Sequence, residues 1–254
     1  MGNTPLTNCK MSPDRKEFDL KNAVITPGLV DIHSHFGVYS YPGDLRAYQD
    51  GNEMGADPTT PYVRVIDALR STDEAIKEIL SGGVTSSVVL PGSGNVIGGE
   101  GLAVKLRGKT VEEMRIKNSP RYLKFACGEN PKRVYGSQTK MPTTRMGNAW
   151  VMRKKFEAAR KLLKEQNEWD CSKGEKPTNL ELEPLVALLK GEALLHNHCY
   201  EVVDFEMAIR VAKEFGYKIT TFHHALEAHK IPKTFKENNI SIATFAGKII
   251  NCKF

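Results

Sequence analysis

Six of the seven histidines in this 254-residue chain lie in three short groups, and each group follows an apolar run. The groups are His33 and His35, His196 and His198, and His223 and His224. Imidazole nitrogens are common ligands of zinc and related transition metals. The grouping therefore indicates one metal site to which three distant parts of the chain contribute. The seventh histidine, His229, stands alone and is predicted to be a surface residue of a helix.

The spacing of His33 and His35 favours a metal site at the end of a β-strand. Residues i and i+2 of a strand project from the same face, so both imidazoles would point to one side. The same pattern recurs at His196 and His198. A polar turn after a buried strand is the competing interpretation of each pair taken alone. Three such strand ends are explained more simply by a shared metal.

The remainder of the chain alternates between strand-like and helix-like segments, which is the pattern of a parallel sheet with helical crossovers. In a closed (β/α)8 barrel the carboxyl ends of the strands converge on one site, whereas an antiparallel meander would separate the histidine groups. Strands are predicted at residues 23–32, 84–90, 102–106, 122–127, 194–198, 219–222 and 240–245. Helices are predicted at residues 72–80, 150–166 and 204–215, and in part at 228–238.

Two loop segments are unusual in their composition. Residues 39–62 carry Pro, Gly, Asp and Asn throughout and predict a long loop, a type that often covers a site. Residues 91–101 are rich in glycine, which indicates a backbone that is approached closely by another group. This segment lacks the GxxxxGK[ST] pattern, so a phosphate-binding loop is not predicted.

Composition places the chain among ordinary globular proteins, with 40% hydrophobic and 26% charged residues. No apolar run approaches the roughly 20 residues of a membrane helix, and residues 1–20 lack a signal peptide core. The five cysteines are odd in number and without paired spacing, which argues against a disulfide framework and for a reducing compartment. We therefore expect a cytoplasmic protein with no membrane partner, in which Cys127 and Cys199 are buried.

The net charge of +6 raises the question of nucleic acid binding. The densest cationic cluster lies between Arg153 and Lys164, within the helix predicted at residues 150–166. Met152, Phe156 and Leu163 share one face of that helix, so the charges form the opposite, solvated face. A solvated helix face is thus favoured over a nucleic acid-binding groove, and no nucleic acid partner is predicted.

Several segments, in order and at matching spacing, resemble the amidohydrolase superfamily and, within it, the branch related to imidazolonepropionase. The resemblance covers roughly residues 20–249. The segments that carry it include ITPGLVDIHSHFG, YQDGNEMGADPTTPYVRVIDAL, GGVTSSVVLPGSGNVIGGEG, KFACGENPKRVYG, PTTRMG, LHNHCYEVVDFEMAIRVAKEFG and HHALEAHKI.

The resemblance implies a (β/α)8 barrel that holds one or two divalent metals, usually zinc, and hydrolyses carbon–nitrogen bonds other than peptide bonds. Its ligands are a first-strand HxH pair, a fourth-strand carboxylate or carboxylated lysine, and histidines of strands five and six. The predicted ligands in this sequence are His33, His35, Glu129, His196 and His224. His198 is predicted to face the substrate, and Lys190 is a weaker candidate for the carboxylated lysine. Adjacent residues face opposite sides of a strand, so only one of His223 and His224 is expected to point inward. The resemblance favours His224, because Glu227 and Lys230 then match the family's sixth-strand motif.

The sequence departs from the family at both ends. The family takes the general base of the reaction, an aspartate, from an eighth strand, and residues 240–254 end near strand seven. Residues 1–22 are predicted to be disordered or the remnant of a β-sandwich, and residues 23–254 to be an incomplete TIM-like barrel. The chain could be a fragment, a decayed relative, or one copy of a homo-oligomer completed by another. We expect the full reaction to be impaired in this chain, because no residue fills the role of the base, which leaves a metal-binding relative of the enzymes as the alternative.

Overall fold

Seven strands form a single sheet that curls into a nearly closed barrel, ordered β1 to β7 along the chain. The computed structural model describes residues 16, 19–41, 51 and 57–245. The predictions for residues 1–15, for most of the loop at 39–62, and for residues 246–254 therefore lie outside the described residues. The strands are β1 (Leu29–Ser34), β2 (Val84–Val89), β3 (Ile97–Lys105), β4 (Arg121–Ala126), β5 (Ala193–Cys199), β6 (Thr221–His224) and β7 (Ser241–Ala243).

The direction of β3 corrects the prediction of a wholly parallel sheet. β1 is parallel to β2, and β4, β5, β6 and β7 are parallel to one another. β3 pairs antiparallel with both β2 and β4. Since the turn between β2 and β3 is short, the chain reverses there without a crossover helix. The fold is a mixed α/β barrel, consistent with an incomplete TIM-like barrel.

Apolar side chains on the outer face of the barrel pack against the helices. Leu123 and Phe125 of β4, and Leu195 of β5, join one buried cluster with Phe156 and Phe205 of two flanking helices. The alternate residues of these strands project inward. The helices are α1 (Ala75–Ser81), α2 (Val111–Met114), α3 (Glu129–Gly136), α4 (Arg145–Asn167), α5 (Glu183–Leu189), α6 (Val202–Phe215) and α7 (Pro232–Glu237). Within the described part of the chain, none of them combines the length and apolar character needed to cross a membrane.

The first strand begins six residues later than predicted. Pro27 has no backbone N–H to donate, and the side chain of Thr85 lies against Gly28, at 2.2 Å from where a Cβ would stand. Regular pairing begins at Leu29, whose N–H donates to the carbonyl of Gly83. As a result His33 lies within β1 and His35 just after it.

The glycine-rich segment is approached closely, as predicted, and its neighbours are backbone atoms. A Cβ at Gly98 would stand 2.7 Å from the carbonyl oxygen of Lys124. A Cβ at Gly99 would stand 2.1 Å from the carbonyl oxygen of Val63. Glycine is therefore required where β3 passes between β4 and the chain at Val63.

Cys127 and Cys199 are buried, as expected, and are joined by a disulfide. The expectation of unpaired cysteines is thus wrong for these two. Ala126 pairs with His198 in the parallel register of β4 and β5, so the two cysteines that follow are also neighbours, with Cα atoms 5.3 Å apart. Their sequence separation of 72 residues gave no indication of this proximity.

Gly128 follows β4 with φ of 75° and ψ of −137°, a conformation almost confined to glycine. A Cβ at this position would stand 2.4 Å from Oδ2 of the buried Asp204. We predict that Gly128→Ala lowers the free energy of unfolding by about 2 kcal/mol or more. Gly216→Ala is the matched control, because Gly216 also has a positive φ but open space around it. It should cost about 1 kcal/mol. Equal losses for the two variants in urea denaturation would contradict the prediction.

Candidate functional site

The register of three parallel strands places nitrogen-bearing side chains side by side at the carboxyl end of the barrel. Lys124 of β4 pairs with His196 of β5. His198 of β5 pairs with His223 of β6. All four side chains point inward, because their strand neighbours face the helices outside. The site is thus assembled by the sheet rather than by loops.

The imidazoles from β1 meet those from β5 and β6. Nδ1 of His33 lies 2.8 Å from Nδ1 of His223, and Nε2 of His223 lies 2.8 Å from Nδ1 of His196. Nε2 of His33 lies 3.1 Å from Nε2 of His35. Four imidazoles are consequently linked in one chain of ring-to-ring contacts. His223, which the sequence set aside, is the link between β1 and β5.

His224 also reaches this cluster, so the expectation that only one of the two adjacent histidines points inward is wrong. Its ring centroid lies 5.2 Å from that of His33 and 4.3 Å from that of His198. The cause is its backbone, which has a φ of 65° at the last residue of β6. This left-handed conformation is rare for residues other than glycine, and it turns the side chain away from the usual strand alternation.

Lys124 is the site residue that the sequence interpretation missed. Its side chain is fully buried, and its Nζ donates a hydrogen bond to the carbonyl of Pro91 at 3.2 Å. Burial lowers the pKa of its ammonium group to about 7. The signal was present in the sequence, because a lysine in the apolar run Leu123-Lys124-Phe125 is rarely buried without a function. We refer to Lys124 and the six grouped histidines as the amine–imidazole cluster.

Burial also lowers the pKa of every histidine in the cluster, and the nearby Lys124 adds to the effect. The pKa of His35, His196 and His224 falls to about 4 in each case. That of His223 falls to about 2, with the charge of His196 as the next cause after burial. His33 and His198 are shifted well below the usual range. The imidazoles are therefore neutral at neutral pH, which is the form that binds metals.

His198 is buried, and neither of its ring nitrogens has a hydrogen-bond partner in the described part of the chain. Buried polar atoms without partners are uncommon in proteins. A bound ion would satisfy such a nitrogen, so the residues fit a metal in their chemistry. In the arrangement described, however, the imidazoles contact one another. Among the described residues no group of three or more His, Cys, Asp or Glu side chains is positioned to hold a metal ion.

Glu129 lies at the start of α3, and the structure does not bring it to the imidazoles. Its Oε1 accepts hydrogen bonds from Lys132 at 2.8 Å and from Arg145 at 2.9 Å. The hydrogen bond from Lys132 is the main cause that lowers the pKa of this carboxyl group. A ligand role for Glu129 remains a prediction, which would require the carboxylate to leave both cations. His229 is exposed and lies outside the cluster, with Nδ1 3.1 Å from the carbonyl of Leu226.

The loop that follows His35 is fixed by a buried carboxylate of the next connection. Oδ2 of Asp73 accepts from the N–H of Gly37, and Oδ1 accepts from the N–H of Tyr41 and Ala75. The ring of His35 is itself held by its Nδ1, which lies 2.7 Å from the carbonyl oxygen of Leu90. The HxH pair is therefore anchored both to β2 and to the segment before α1.

A cleft of about 510 Å³ lies elsewhere, between α4 and the segment before α5. Its lining includes Trp150, Lys154 and Glu181 but no histidine. This cleft is thus separate from the amine–imidazole cluster.

Comparison with known proteins found two relatives that are described as amidohydrolases. The curated protein amidohydrolase tasK from Hapsidospora irregularis is 41% identical over 235 residues. The match covers 85% of this chain and 24% of that protein. A crystal structure of an amidohydrolase from Thermotoga maritima MSB8 superposes with a TM-score of 0.88 at 37% identity. It covers 97% of this chain and 63% of the solved one. No family model matches the sequence.

Both relatives support an amidohydrolase family for this chain. The chain spans about a quarter of the curated relative and less than two thirds of the solved one. The activity of the full-length relatives is therefore carried over to this chain only as a proposal. The same holds for the narrower branch related to imidazolonepropionase.

The shifted imidazoles predict acid sensitivity of the metal-free protein. In the unfolded chain these histidines titrate near 6.5, so between this pH and about 4 the unfolded state binds more protons than the folded state. The free energy of unfolding should therefore fall as the pH decreases through this window, by up to roughly 1.4 kcal/mol per pKa unit and residue.

The measurement is urea denaturation between pH 8 and pH 4 in the presence of a chelator. His196→Asn should weaken the dependence on pH, because it removes one shifted group. His229→Asn, at an exposed site, is the control and should leave it as in the wild type. Identical pH profiles for the wild type and His196→Asn would contradict this account.

Proposed function

We propose that this chain carries the metal-binding half of a hydrolase that acts on carbon–nitrogen bonds other than peptide bonds. The observation that supports it most directly is the amine–imidazole cluster, in which a fully buried Lys124 lies among six histidines. Such a cluster costs stability, since each buried nitrogen base is desolvated. Its position at the carboxyl end of the barrel is where such folds keep their reacting groups.

The residues proposed to bind metal are His33 and His35 with His223 or His224, and His196 or His198. Imidazole donors suit zinc better than magnesium or calcium, so zinc is the proposed metal, as one or two ions. A bound zinc would supply Lewis acidity, which acidifies water and polarises an amide carbonyl. His33 and His223 each contact two neighbouring imidazoles through both ring nitrogens, at 2.8 to 3.1 Å. Metal binding would therefore require some of these rings to turn so that their nitrogens face the ion.

Lys124 is proposed in place of Glu129 as the fourth-strand ligand. The resemblance implies a carboxylate or a carboxylated lysine in this strand, and Lys124 is the residue that faces the imidazoles. Its neutral amine can add to carbon dioxide, which forms an N–C bond and releases one proton to give a carbamate. This reaction needs the unprotonated amine, and a pKa of about 7 makes that form abundant at neutral pH.

The chain's own residues also orient the imidazoles. The carbonyl oxygen of Leu90 accepts a hydrogen bond from Nδ1 of His35 in the tautomer that carries the proton there, which presents Nε2 to the site. The ring of Tyr122 packs edge-on against His196, with centroids 5.4 Å apart. Amides and cyclic amides of small molecules are the proposed substrates.

A non-catalytic metal-binding protein is the second candidate. One observation favours it: in the described residues no carboxylate lies within ion-pair distance of a cluster imidazole, so none of them is in place to act as the general base. The two candidates share the same metal ligands and differ in turnover alone.

Metal titration tests the role of Lys124. We predict that the chelator-stripped protein binds zinc or cobalt, and that Lys124→Met lowers the affinity or the stoichiometry by at least about tenfold or one ion. Removal of bicarbonate and carbon dioxide from the buffer should have a similar effect on the wild type only. Lys190→Met is the matched control, because Lys190 is exposed and lies outside the cluster. Equal metal binding by Lys124→Met and the wild type would refute the proposed ligand.

Turnover separates the two candidates. We expect the zinc-loaded protein to hydrolyse members of a panel of N-acyl amides and cyclic amides, with release of the amine followed by mass spectrometry. Dipeptides should be poor substrates. Lys124→Met should slow the reaction by about a hundredfold or more. Stoichiometric zinc without turnover of any panel member would reject the hydrolase in favour of the metal-binding protein.

A further inference from the structure

Arg145, the first residue of α4, lies where α4 meets the starts of α3 and α6. Its Nε donates to Oδ1 of Asp204 at 2.9 Å, and its Nη1 donates to Oε1 of Glu129 at 2.9 Å. Its Nη2 donates to Oε1 of Glu201 at 2.8 Å. One guanidinium group thus binds three carboxylates, and each arm uses a different nitrogen. A planar guanidinium with fixed donor directions suits such a role, and a lysine could not reproduce it.

The three carboxylates come from the two connections that leave β4 and β5. Glu129 begins α3, three residues after the end of β4. Glu201 is the residue before α6, two residues after the end of β5, and Asp204 lies in the first turn of α6. Arg145 therefore connects the segments that follow the strands of Lys124 and His198.

Asp204 makes this connection specific. Its side chain is buried, and burial raises the pKa of its carboxyl group. In the described part of the chain its Oδ2 has no hydrogen-bond partner, and Oδ1 pairs with Arg145. Gly128 packs directly against this carboxylate. A buried carboxylate with one cationic partner fixes the position of that partner more strictly than exposed ion pairs do.

Two hydrogen bonds link the turn after β4 to β5 and to the start of α4. The N–H of Cys127 donates to the carbonyl of His198 at 2.9 Å. Nδ2 of Asn148, three residues after Arg145 on α4, donates to the carbonyl of Gly128 at 3.2 Å. The turn after β4 is consequently held between β5 on one side and the start of α4 on the other.

We propose that Arg145 is a positioning residue: it holds the carboxyl ends of β4 and β5 together and thereby keeps Lys124 in register with His196. The guanidinium touches neither residue, and it acts through Asp204, Glu129 and the turn at Gly128. The consequence for metal binding rests on the proposed function, whereas the consequence for the strand ends does not.

The test uses the double variant R145M/D204N, in which the buried carboxylate is removed together with its cation. We expect its melting temperature to stay near that of the wild type. Amide hydrogen exchange at Cys127 should become at least about tenfold faster, while exchange in β2 stays unchanged. Zinc affinity, measured by competition with a chromophoric chelator, should fall at least about tenfold. If Arg145 acted only through general stability, a variant with the melting temperature of the wild type would also keep the wild-type exchange rate at Cys127 and the wild-type zinc affinity.

Two further variants keep the proposal falsifiable if R145M/D204N does not fold. E129Q/E201Q removes the charges of the two more exposed carboxylate partners of Arg145 and leaves its ion pair with Asp204 intact. Smaller changes in the same direction are therefore expected. R153M is the control. Arg153 lies on the same helix as Arg145 and forms an ion pair with Glu214 of α6, and no change is expected when this pair is broken. Unchanged exchange at Cys127 in the carboxylate variants would overturn the proposal. If the wild type binds no zinc but the variants still show faster exchange at Cys127, the positioning role of Arg145 is supported and only the metal-dependent function is rejected.

Discussion

The structure depends on one constraint, the burial of a lysine amine among six imidazoles, with none of the described carboxylates within ion-pair distance. Lys124 has no access to solvent, and its Nζ contacts the carbonyl oxygen of Pro91. A charged ammonium without an anion is strongly disfavoured in such surroundings, which is why the pKa of Lys124 falls to about 7. Protonation of any one of these bases would also make protonation of its neighbours more costly. A set of uncharged nitrogen donors, close together at the carboxyl end of the barrel, is the result.

The same constraint explains why polar side chains of the strands, and not apolar ones, face the interior of the barrel. In β4 and β5 the apolar residues face the helices, and the polar ones face the barrel interior. β3 belongs to the same design, because Gly98 lets its backbone lie against the carbonyl of Lys124. The antiparallel β3 closes the sheet between β2 and β4 without a helix. The strand that carries Lys124 is therefore flanked closely on both sides.

The sequence predicted the number and order of the described strands and the meeting of the three histidine groups, since both depend on local periodicity and on parallel strand ends. It did not predict the direction of β3, because alternation of side chains is the same in both directions. It misjudged His224, since the left-handed backbone at the end of β6 is a tertiary effect. It passed over Lys124 in favour of Glu129, because a carboxylate after a strand resembles a ligand until Lys132 and Arg145 are seen to occupy it. The features that the sequence missed are those set by contacts between residues far apart in the chain.

The network around Arg145 shows why a marginally stable protein would keep a buried carboxylate such as Asp204. Replacing a buried ion pair by apolar residues is often neutral or stabilising, so stability alone does not explain Arg145 and Asp204. An apolar contact, however, tolerates sliding between α4 and the turn at Gly128, whereas three directed hydrogen bonds do not. Metal and catalytic sites tolerate little displacement of their ligands. Arg145 and the buried Lys124 are then two parts of one arrangement, in which stability is given up at the strand ends so that the donor atoms keep fixed positions.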